Sequence, residues 1–336
     1  MRTRAAAGQQ SAWWSIPVGL GIGWLADRMV GDPQRGHPVA LFGRAATALE
    51  RHLYADDRAA GTAFAALAVG GPTTAMALVQ RRASLHPVAL TALTAVVAWA
   101  AMGGRQLGQV ATRVSAHLAV EEVEAARALM PWLVGRDPAS MDTDGMVRAV
   151  IESVAENTAD AVVASLLWGA LAGPAGITAH RAVNTLDAMV GHRNDRYARF
   201  GTAAARADDL AGLLPARLTA ALTVIAAPIV GGSARAALRA WRRDGRCHPS
   251  PNAGPVEASA AGALGVTLGG PTAYGGRTEM RGPLGEGPAP ALADIARVVR
   301  LTGAVSAGAL VVCTLAAAVR RLAGALRPRR AGRPGG

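Results

Sequence analysis

Long apolar runs alternate with polar segments along the chain, and the apolar runs approach the length of a membrane-spanning helix. A helix needs roughly 20 residues to cross about 30 Å of hydrocarbon. The predicted spans are 12–30, 59–79, 86–102 and 298–319. The first run resembles a secretion signal, but no convincing small-residue cleavage site follows it before Asp32, so we expect an uncleaved membrane segment.

Two further apolar runs, 161–178 and 213–230, are interrupted by glycine, proline or arginine. Such breaks are tolerated where neighbouring protein satisfies the freed backbone groups. Each run is therefore interpreted as a span or as a re-entrant helix. We expect one all-α domain over 1–336, a multi-pass integral membrane protein with about four or five spans, re-entrant or buried helices, and a basic flexible tail over 320–336.

The polar segments between the runs predict further helices and loops. Amphipathic spacing predicts a helix over 118–130, and Met141–Asp144 can cap a second helix that runs to Asp160. Segment 231–294 is rich in glycine and proline, which predicts loops with one helical piece at 256–264. No convincing series of strands is expected.

Composition supports the membrane interpretation and excludes several chemistries. The chain is 51% hydrophobic and only 17% charged, too few charged residues for an ordinary soluble domain. Its net charge of +12 does not favour nucleic acid, because aromatic residues are only 4% and the arginines cluster beside apolar runs. All 35 basic residues are arginines, which excludes a lysine-containing phosphate loop and a lysine Schiff base. Two cysteines are too few for a disulfide framework.

Three carboxylates form the sharpest candidate site. Glu152, Glu156 and Asp160 are spaced at i, i+4 and i+8, so they share one stripe of a helix that continues into an apolar run. Such carboxylates are stable together when Mg²⁺ or arginines lie among them. The alternative is an exposed acidic helix face.

A second cluster lies between residues 180 and 209. His180, Asn184 and Asp187 share a helical face, and Gly191 is placed to end that helix. Arginines in this region could bind phosphate, and the Asp208–Asp209 pair could bind metal or phosphate. The alternatives are a structural histidine and a solvated helix start. The candidate residues of this region are His180, Asn184, Asp187, Arg193, Asn194, Asp195, Arg196, Arg206, Asp208 and Asp209.

Two weaker signals complete the set. Ser250 and Asn252 precede a glycine-rich segment that contains Tyr274, and such segments let backbone N–H groups approach an anion or a bulky ligand, although most are only turns. Asp32 and His37 follow the first apolar run, at the expected membrane surface.

Several of these runs together resemble one known family. They are GDPQRGHPV, VGRD (which contains Arg136 and Asp137), ESVAENTAD, RAVNTLDAMVGHRNDRYARFG, ARADDLAGLLPARLTA and SPNAG followed by LGG and YGG. They resemble the cobalamin-biosynthesis family CobD/CbiB, adenosylcobinamide-phosphate synthase, from Asp32 to about Gly287. Departures occur at Ala164–Leu166, His192–Arg193 and Arg281–Pro283.

The resemblance implies a multi-pass enzyme of the cell (cytoplasmic or inner) membrane, with its active site on the cytoplasmic side. Such an enzyme joins adenosylcobyric acid to (R)-1-amino-2-propanol or its phosphate in an amide bond, with ATP and Mg²⁺. The implied partners are the corrinoid and amino-alcohol substrates and the lipid bilayer, with other corrinoid-assembly enzymes as a further candidate and no nucleic acid.

Amide formation from a carboxylate needs activation, expected here through an acyl phosphate. On this hypothesis Glu156 and Asp160 hold Mg²⁺, and Glu152 positions or deprotonates the amine. On the same hypothesis the phosphates are bound by Arg193, Arg196 and Arg206, and the substrate is oriented by Asn157, Asn184 and Asp187. The further substrate or phosphate-binding candidates are Asp32, His37, Arg136, Asp137, His180, Asn194, Asp195, Asp208, Asp209, Ser250, Asn252 and Tyr274.

Two other classes stay open at this point. Intramembrane carboxylates also mark transport pathways, so a permease for corrinoids or another solute is the main alternative. A non-catalytic scaffold that gathers corrinoid-assembly enzymes is the third. Polar residues lie at the ends of apolar runs rather than in paired, symmetric halves, which favours an enzyme over a permease.

Overall fold

A computed structural model describes residues 11–32, 36–135, 138–192, 194–274 and 277–326, and the fold within them is almost entirely helical. The helices are α1 Ser15–Val30, α2 Pro38–Leu53, α3 Arg58–Ala83, α4 Pro87–Met102, α5 Gly104–Ala119, α6 Val123–Leu129, α7 Thr143–Asn157, α8 Ala164–Ala172, α9 Pro174–Val190, α10 Thr202–Ala226, α11 Ala234–Asp244, α12 Ala253–Leu264 and α13 Ala293–Leu326. Short 3₁₀ turns cover Ser11–Trp14, Met130–Trp132, Pro138–Ser140 and Ala227–Val230, and a π-helical turn covers Thr158–Val163. The predicted all-α class is confirmed.

Four helical segments within the described residues are long and apolar enough to cross a membrane. They are Arg58–Ala83, Pro87–Ala119, Thr202–Val230 and Ala293–Ala323. Large apolar side chains project outward from these and neighbouring helices, which suits contact with lipid rather than water. Examples are Ile22, Leu67, Val96, Ile225 and Leu315, all at least 49% exposed. The protein is therefore a multi-pass membrane protein.

Helix α1, the N-terminal apolar run, is shorter and packs closely on α4. Gly19 and Gly23 face α4, and a Cβ at Gly19 would lie 2.6 Å from the Thr94 Cβ. A Cβ at Gly23 would lie 2.7 Å from the Ala95 carbonyl oxygen. This spacing of small residues lets two helix backbones approach each other, as in membrane helix pairs.

The interrupted run 161–178 forms two buried helices that meet at a sharp bend. Helix α7 continues through the π-helical turn into α8, and Gly173 then adopts a φ of +70° before Pro174 begins α9. Proline at the first helical position needs no N–H partner, and glycine tolerates the left-handed φ. Gly169 and Ile177 are buried on either side of the bend. Most of the run is buried, although Leu171 and Ala172 are exposed at its bend. There the Gln80 amide donates to the Ala172 carbonyl oxygen and accepts from the Ala175 N–H, which satisfies freed backbone groups.

The predicted cap of α7 is present, but the prediction of one continuous helix over 118–130 is wrong. The Asp142 carboxylate accepts a hydrogen bond from the Gly145 N–H at 2.8 Å. The predicted helix over 118–130 is broken, since α5 ends at Ala119 and Glu121 has a φ of +61° before α6 begins. Sequence spacing alone does not reveal this turn.

The segment 231–294 contains more regular structure than expected. Helix α11 precedes α12, and β1 (Leu268–Tyr274) pairs antiparallel with β2 (Arg277–Leu284). Gly269 has a φ of +82°, next to an irregularity in the register between Leu268 and Gly270. Gly269, one of the glycines that suggested loops, therefore lies in a β-hairpin beside α7 and α12.

Candidate functional site

One polar cavity of about 380 Å³ gathers most of the predicted site residues. It is enclosed by α7, the π-helical turn, α9, the start of α10, the segment before α12, and Arg281 of β2. The predicted residues that line it are Glu152, Glu156, Asn157, Asp160, Asn184, Asp187, Asp208, Asp209, Ser250 and Asn252. We call this the acidic cavity.

The three carboxylates of the first stripe enter the cavity together, as their spacing predicts. Glu152 is 2% exposed, and its Oε1 accepts a hydrogen bond from the Gly269 N–H at 3.0 Å. Glu156 and Asp160 are half-buried further along the same stripe. Burial, followed by the Glu156 and Asp208 carboxylates, raises the pKa of Asp160 well above its ordinary value. A cation among these groups would relieve the repulsion.

Helix α9 brings the second set of carboxylates and amides to the opposite wall. Burial, followed by the Asp209 carboxylate, raises the pKa of Asp187. Asn184 Nδ2 lies 3.3 Å from Asp208 Oδ1, so this amide joins α9 to α10. Arg181 donates a hydrogen bond to Asn184 Oδ1 at 3.1 Å, which orients the amide group. The wall is thus a connected polar network rather than a solvated helix start.

The segment before α12 supplies the third wall. Asn252 Nδ2 donates a hydrogen bond to the Asp209 carbonyl oxygen at 2.9 Å. Arg217 donates to Asn252 Oδ1 at 3.1 Å. Ser250 Oγ accepts from the Ala253 N–H at 3.1 Å, at the start of the helix. Ser250 and Asn252 therefore line a built site rather than a simple turn.

The cavity also contains groups that the sequence did not single out. Arg281 lines it, and its guanidinium lies 3.9 Å from the fully buried Glu257. Ser153 lines it too, and Asn157 Nδ2 donates to the Ser153 hydroxyl at 3.0 Å. Arg181 is adjacent to the cavity, with charge interactions to Asp160, Asp32 and Asp208. The sequence marked Arg281 only as part of a departure from the family pattern, at Arg281–Pro283.

Several predicted residues lie outside the acidic cavity. Arg196 pairs with Glu50 at 2.9 Å and lies over the Tyr54 ring, so its guanidinium is engaged in packing α2 against the loop after α9. Arg206, Asn194 and Asp195 are exposed. Arg196 and Arg206 therefore do not line the acidic cavity, and the phosphate role predicted for Arg193, Arg196 and Arg206 stays a prediction.

The remaining candidates have structural surroundings of their own. His180 is 4% exposed and stacks near the Trp168 ring, and burial lowers its pKa to about 4. His37 caps α2 by accepting a hydrogen bond from the Val39 N–H, and its ring nitrogen lies 4.0 Å from Asp32. Tyr274 ends β1 and pairs with Arg277. Arg136, Asp137 and Arg193 lie outside the described residues.

The acidic cavity fits a cation that is shared with a ligand. In the described part of the chain, no group of three or more histidine, cysteine, aspartate or glutamate residues is placed to hold a metal ion by itself. Mg²⁺ commonly uses one or two protein carboxylates together with phosphate oxygens and water. The neighbouring Glu156 and Asp160 meet that requirement. An ammonium group would also be attracted to the same set of carboxylates.

Comparison with known proteins adds the family. The model of the CobD/Cbib protein family matches residues 20–302, which is most of the chain and includes every wall of the acidic cavity. The chain belongs to the CobD/Cbib family.

Relatives in this family are similar over nearly their whole length. A Mycobacterium tuberculosis protein is 52% identical over 312 residues, which cover 93% of this chain and 99% of the relative. A Geobacter metallireducens protein is 43% identical over 267 residues, covering 78% and 84%. A Rhodobacter capsulatus protein is 39% identical over 309 residues, covering 90% and 95%. All three are named Cobalamin biosynthesis protein CobD. No solved structure matches this CobD/Cbib chain.

Proposed function

We propose that this CobD/Cbib protein is a membrane-embedded enzyme of cobalamin biosynthesis that forms an amide bond at the expense of ATP. Its acid substrate is adenosylcobyric acid, and its amine is (R)-1-amino-2-propanol or the O-phosphate. The observation that carries the proposal is the convergence of six carboxylates, three amides and one arginine on a single cavity. Because ATP is supplied in the cytoplasm, the cavity is assigned to the cytoplasmic side of the cell membrane.

The proposed reaction has two steps. The corrinoid carboxylate attacks the terminal phosphorus of ATP, which forms an acyl phosphate and releases ADP. The neutral amine then attacks the acyl carbon, the C–O bond to phosphate breaks, and the amide and inorganic phosphate result. The protein must therefore bind phosphate charge, hold the amine beside the acyl carbon and accept a proton from the ammonium group.

The carboxylates of the acidic cavity suit the amine half of this chemistry. Glu152 is fixed by the Gly269 N–H, so it can orient an ammonium group with little rearrangement. Asp187 has a raised pKa, so it accepts a proton at a smaller energetic cost than an ordinary aspartate does. Asn157 and Asn184 offer amide groups that can orient the hydroxyl or phosphate end of the amine.

The phosphate half depends on cations. Arg281 is the arginine that lines the acidic cavity among the described residues, and we assign it a phosphate role beside the one predicted for Arg193. Glu156 and Asp160 would hold Mg²⁺, which neutralises phosphate charge when bound. Without a lysine anywhere in the chain, arginine and backbone N–H groups supply the other donors.

The test is a reconstituted reaction. Purified protein in detergent receives adenosylcobyric acid, the amino alcohol or its phosphate, and Mg-ATP, and amide product and ADP are measured by mass spectrometry. Glu156→Gln and Asp187→Asn should each lower the turnover at least about tenfold, which corresponds to about 1.4 kcal/mol of transition-state stabilisation. The matched controls, Glu124→Gln and Asp56→Asn, change exposed carboxylates away from the cavity and should retain activity.

Two outcomes would contradict the proposal. Full activity in both cavity variants would remove the assigned roles of these carboxylates. Absence of product from the wild-type protein, together with corrinoid uptake into vesicles that contain it, would instead identify a permease.

A further inference from the structure

A second cavity lies on the other side of the segment that separates α11 from α12. Its volume is about 760 Å³, within the range of ligand sites. Its lining residues are Arg217, Trp241, Arg242, Gly245, Arg246, His248, Pro249, Pro251 and Pro255. We call it the basic cavity. Residues of the 249–252 segment alternate between the two cavities: Pro249 and Pro251 line the basic one, and Ser250 and Asn252 line the acidic one.

The charge of the basic cavity is opposite to that of the acidic one. Three arginines line it, and within the described residues no carboxylate does. The adjacent Asp244 is directed elsewhere, because it accepts hydrogen bonds from Arg243 at 2.6 Å and from the Gly285 N–H at 2.8 Å. Arg242 and Arg246 are exposed, and in the described part of the chain neither has a carboxylate partner. Their charge is therefore available to a ligand.

The walls of the basic cavity are rigid and partly flat. Trp241 supplies an indole surface, and three prolines supply apolar walls with restricted backbones. An indole ring can stack on a planar base, and arginines bind phosphate oxygens in a bidentate manner. This combination of groups suits a ligand that has several phosphates and a planar ring.

We propose that the basic cavity binds a nucleoside triphosphate, with Arg217, Arg242 and Arg246 on the phosphates and Trp241 beside the base. The proposal rests on the proposed function and divides its reactants between two sites by charge. The ammonium end of the amino alcohol is repelled by the three arginines of the basic cavity and attracted by the carboxylates of the acidic cavity. The polyanionic triphosphate has the opposite preference, and only its terminal phosphate needs to reach the Mg²⁺ and Arg281 of the acidic cavity.

Arg217 connects the two sites. Its guanidinium lines the basic cavity and donates hydrogen bonds to the Pro251 carbonyl oxygen at 2.8 Å and to Asn252 Oδ1 at 3.1 Å. Asn252 in turn lines the acidic cavity. A terminal phosphate held by Arg217 would therefore lie next to the wall of the cavity in which the carboxylate substrate is expected to react.

The direct test is binding without turnover. Equilibrium dialysis measures the Kd of a radiolabelled, non-hydrolysable ATP analogue for the purified full-length protein in detergent, with Mg²⁺ and without corrinoid or amine. The double variant Arg242→Gln/Arg246→Gln should raise this Kd at least about tenfold, because each charged hydrogen bond to phosphate contributes substantially. Binding to the wild-type protein should also weaken as salt is raised.

The matched control is Arg235→Gln/Arg239→Gln. It removes two exposed arginines that do not line the cavity from α11, the helix that carries Arg242, and so should leave the Kd within about twofold of wild type. Trp241→Leu should weaken ATP analogue binding but leave the competition by inorganic triphosphate unchanged. Thermal unfolding of each variant checks that the fold is retained.

The outcomes separate this inference from the proposed function. Amide formation by the wild-type protein, with the same analogue Kd in the Arg242/Arg246 variant, would overturn the nucleotide site but keep the enzyme. Loss of analogue binding in that variant, without amide formation by the wild-type protein, would keep the nucleotide site and overturn the enzyme. Saturable binding of phosphatidylglycerol vesicles that depends on these arginines, with no binding of the analogue, would assign the cavity to lipid headgroups and overturn the inference.

Discussion

Asn184 donates a hydrogen bond to the Asp208 carboxylate, with Nδ2 3.3 Å from Oδ1, and so joins α9 to α10 inside the acidic cavity. Asn184 Oδ1 accepts from Arg181 at 3.1 Å, so the orientation of the amide is fixed from both ends. Asp208 interacts electrostatically with Asp187, Asp209 and Glu156. The amide is therefore the neutral donor that lets one more carboxylate lie in an already acidic wall.

Asn184→Asp should reduce amide formation at least about tenfold. The substitution replaces the N–H donor by a carboxylate that faces Asp208, and like charges at this distance repel strongly in a partly buried site. Turnover and KM for each substrate are measured in detergent. The control is Asn194→Asp, at an exposed position where the side chain accepts a hydrogen bond from the Tyr197 N–H, which an aspartate can also do. Equal activity of both variants would show that the Asn184 amide has no part in the reaction.

Gly212→Ala should lower activity more than stability. A Cβ at Gly212 would lie 2.4 Å from Asn252 Nδ2, so the added methyl group must displace that amide from the Asp209 carbonyl oxygen. An amide side chain can move at small cost to the fold, and alanine favours the helix relative to glycine by about 1 kcal/mol. The expected result is a severalfold loss of turnover with the thermal unfolding temperature nearly unchanged.

Gly70→Ala is the control for Gly212→Ala, because among the described residues no atom outside the adjacent helix backbone lies within 4 Å of a Cβ there. It should leave turnover close to that of the wild type and should not lower the unfolding temperature, since alanine is the better helix former. If Gly212→Ala retained full turnover, Asn252 would not be a positioning residue for the reaction.

Glu50→Gln should destabilise the protein without changing the chemistry. The Glu50 carboxylate is 6% exposed and accepts hydrogen bonds from Arg196 and Tyr197, each at 2.9 Å. Loss of the charge should cost about 1–2 kcal/mol of unfolding free energy. Thermal unfolding in detergent measures the stability, and the turnover of the folded fraction should match wild type.

The companion variant Arg196→Gln distinguishes packing from phosphate binding. Because the guanidinium is engaged with Glu50 and the Tyr54 ring, its removal should leave the KM for ATP within about twofold of wild type. A tenfold rise in that KM at unchanged stability would restore the phosphate role that the sequence suggested for Arg196.

The carboxylate stripe could be predicted from the sequence, whereas the roles of Arg196 and Arg281 could not. The stripe of Glu152, Glu156 and Asp160 follows from helical spacing, which is a local property, and all three enter the cavity. The choice between Arg196 and Arg281 is not local. It depends on the partner that each guanidinium meets after folding: Glu50 for one, and the cavity beside Glu257 for the other.

The fold shows the same division. Apolar run length predicts the long helices and the all-α class, because the bilayer sets a length and helices satisfy their own backbone. The turn at Glu121 and the hairpin that begins at Leu268 could not be read from the same pattern. Both depend on residues with a positive φ, Glu121 and Gly269, and on what packs against them.

Acid should destabilise the protein through His248, and His248→Gln should reduce that effect. Burial, followed by the nearby Arg281, lowers the pKa of His248 from 6.5 to about 4. The unfolded chain therefore binds more protons than the folded one between these values, so the stability from the neutral ring is present above pH 6.5 and is lost as pH falls towards 4. At pH 5 the expected loss is about 2 kcal/mol relative to pH 7. Thermal unfolding in detergent at the two pH values measures it.

Subtracting the pH dependence of the variant from that of the wild type isolates the contribution of His248 from that of the carboxylates. The control His52→Gln changes an exposed histidine and should leave the wild-type pH dependence intact. An identical pH dependence in His248→Gln and wild type would show that His248 is protonated equally in the folded and unfolded states.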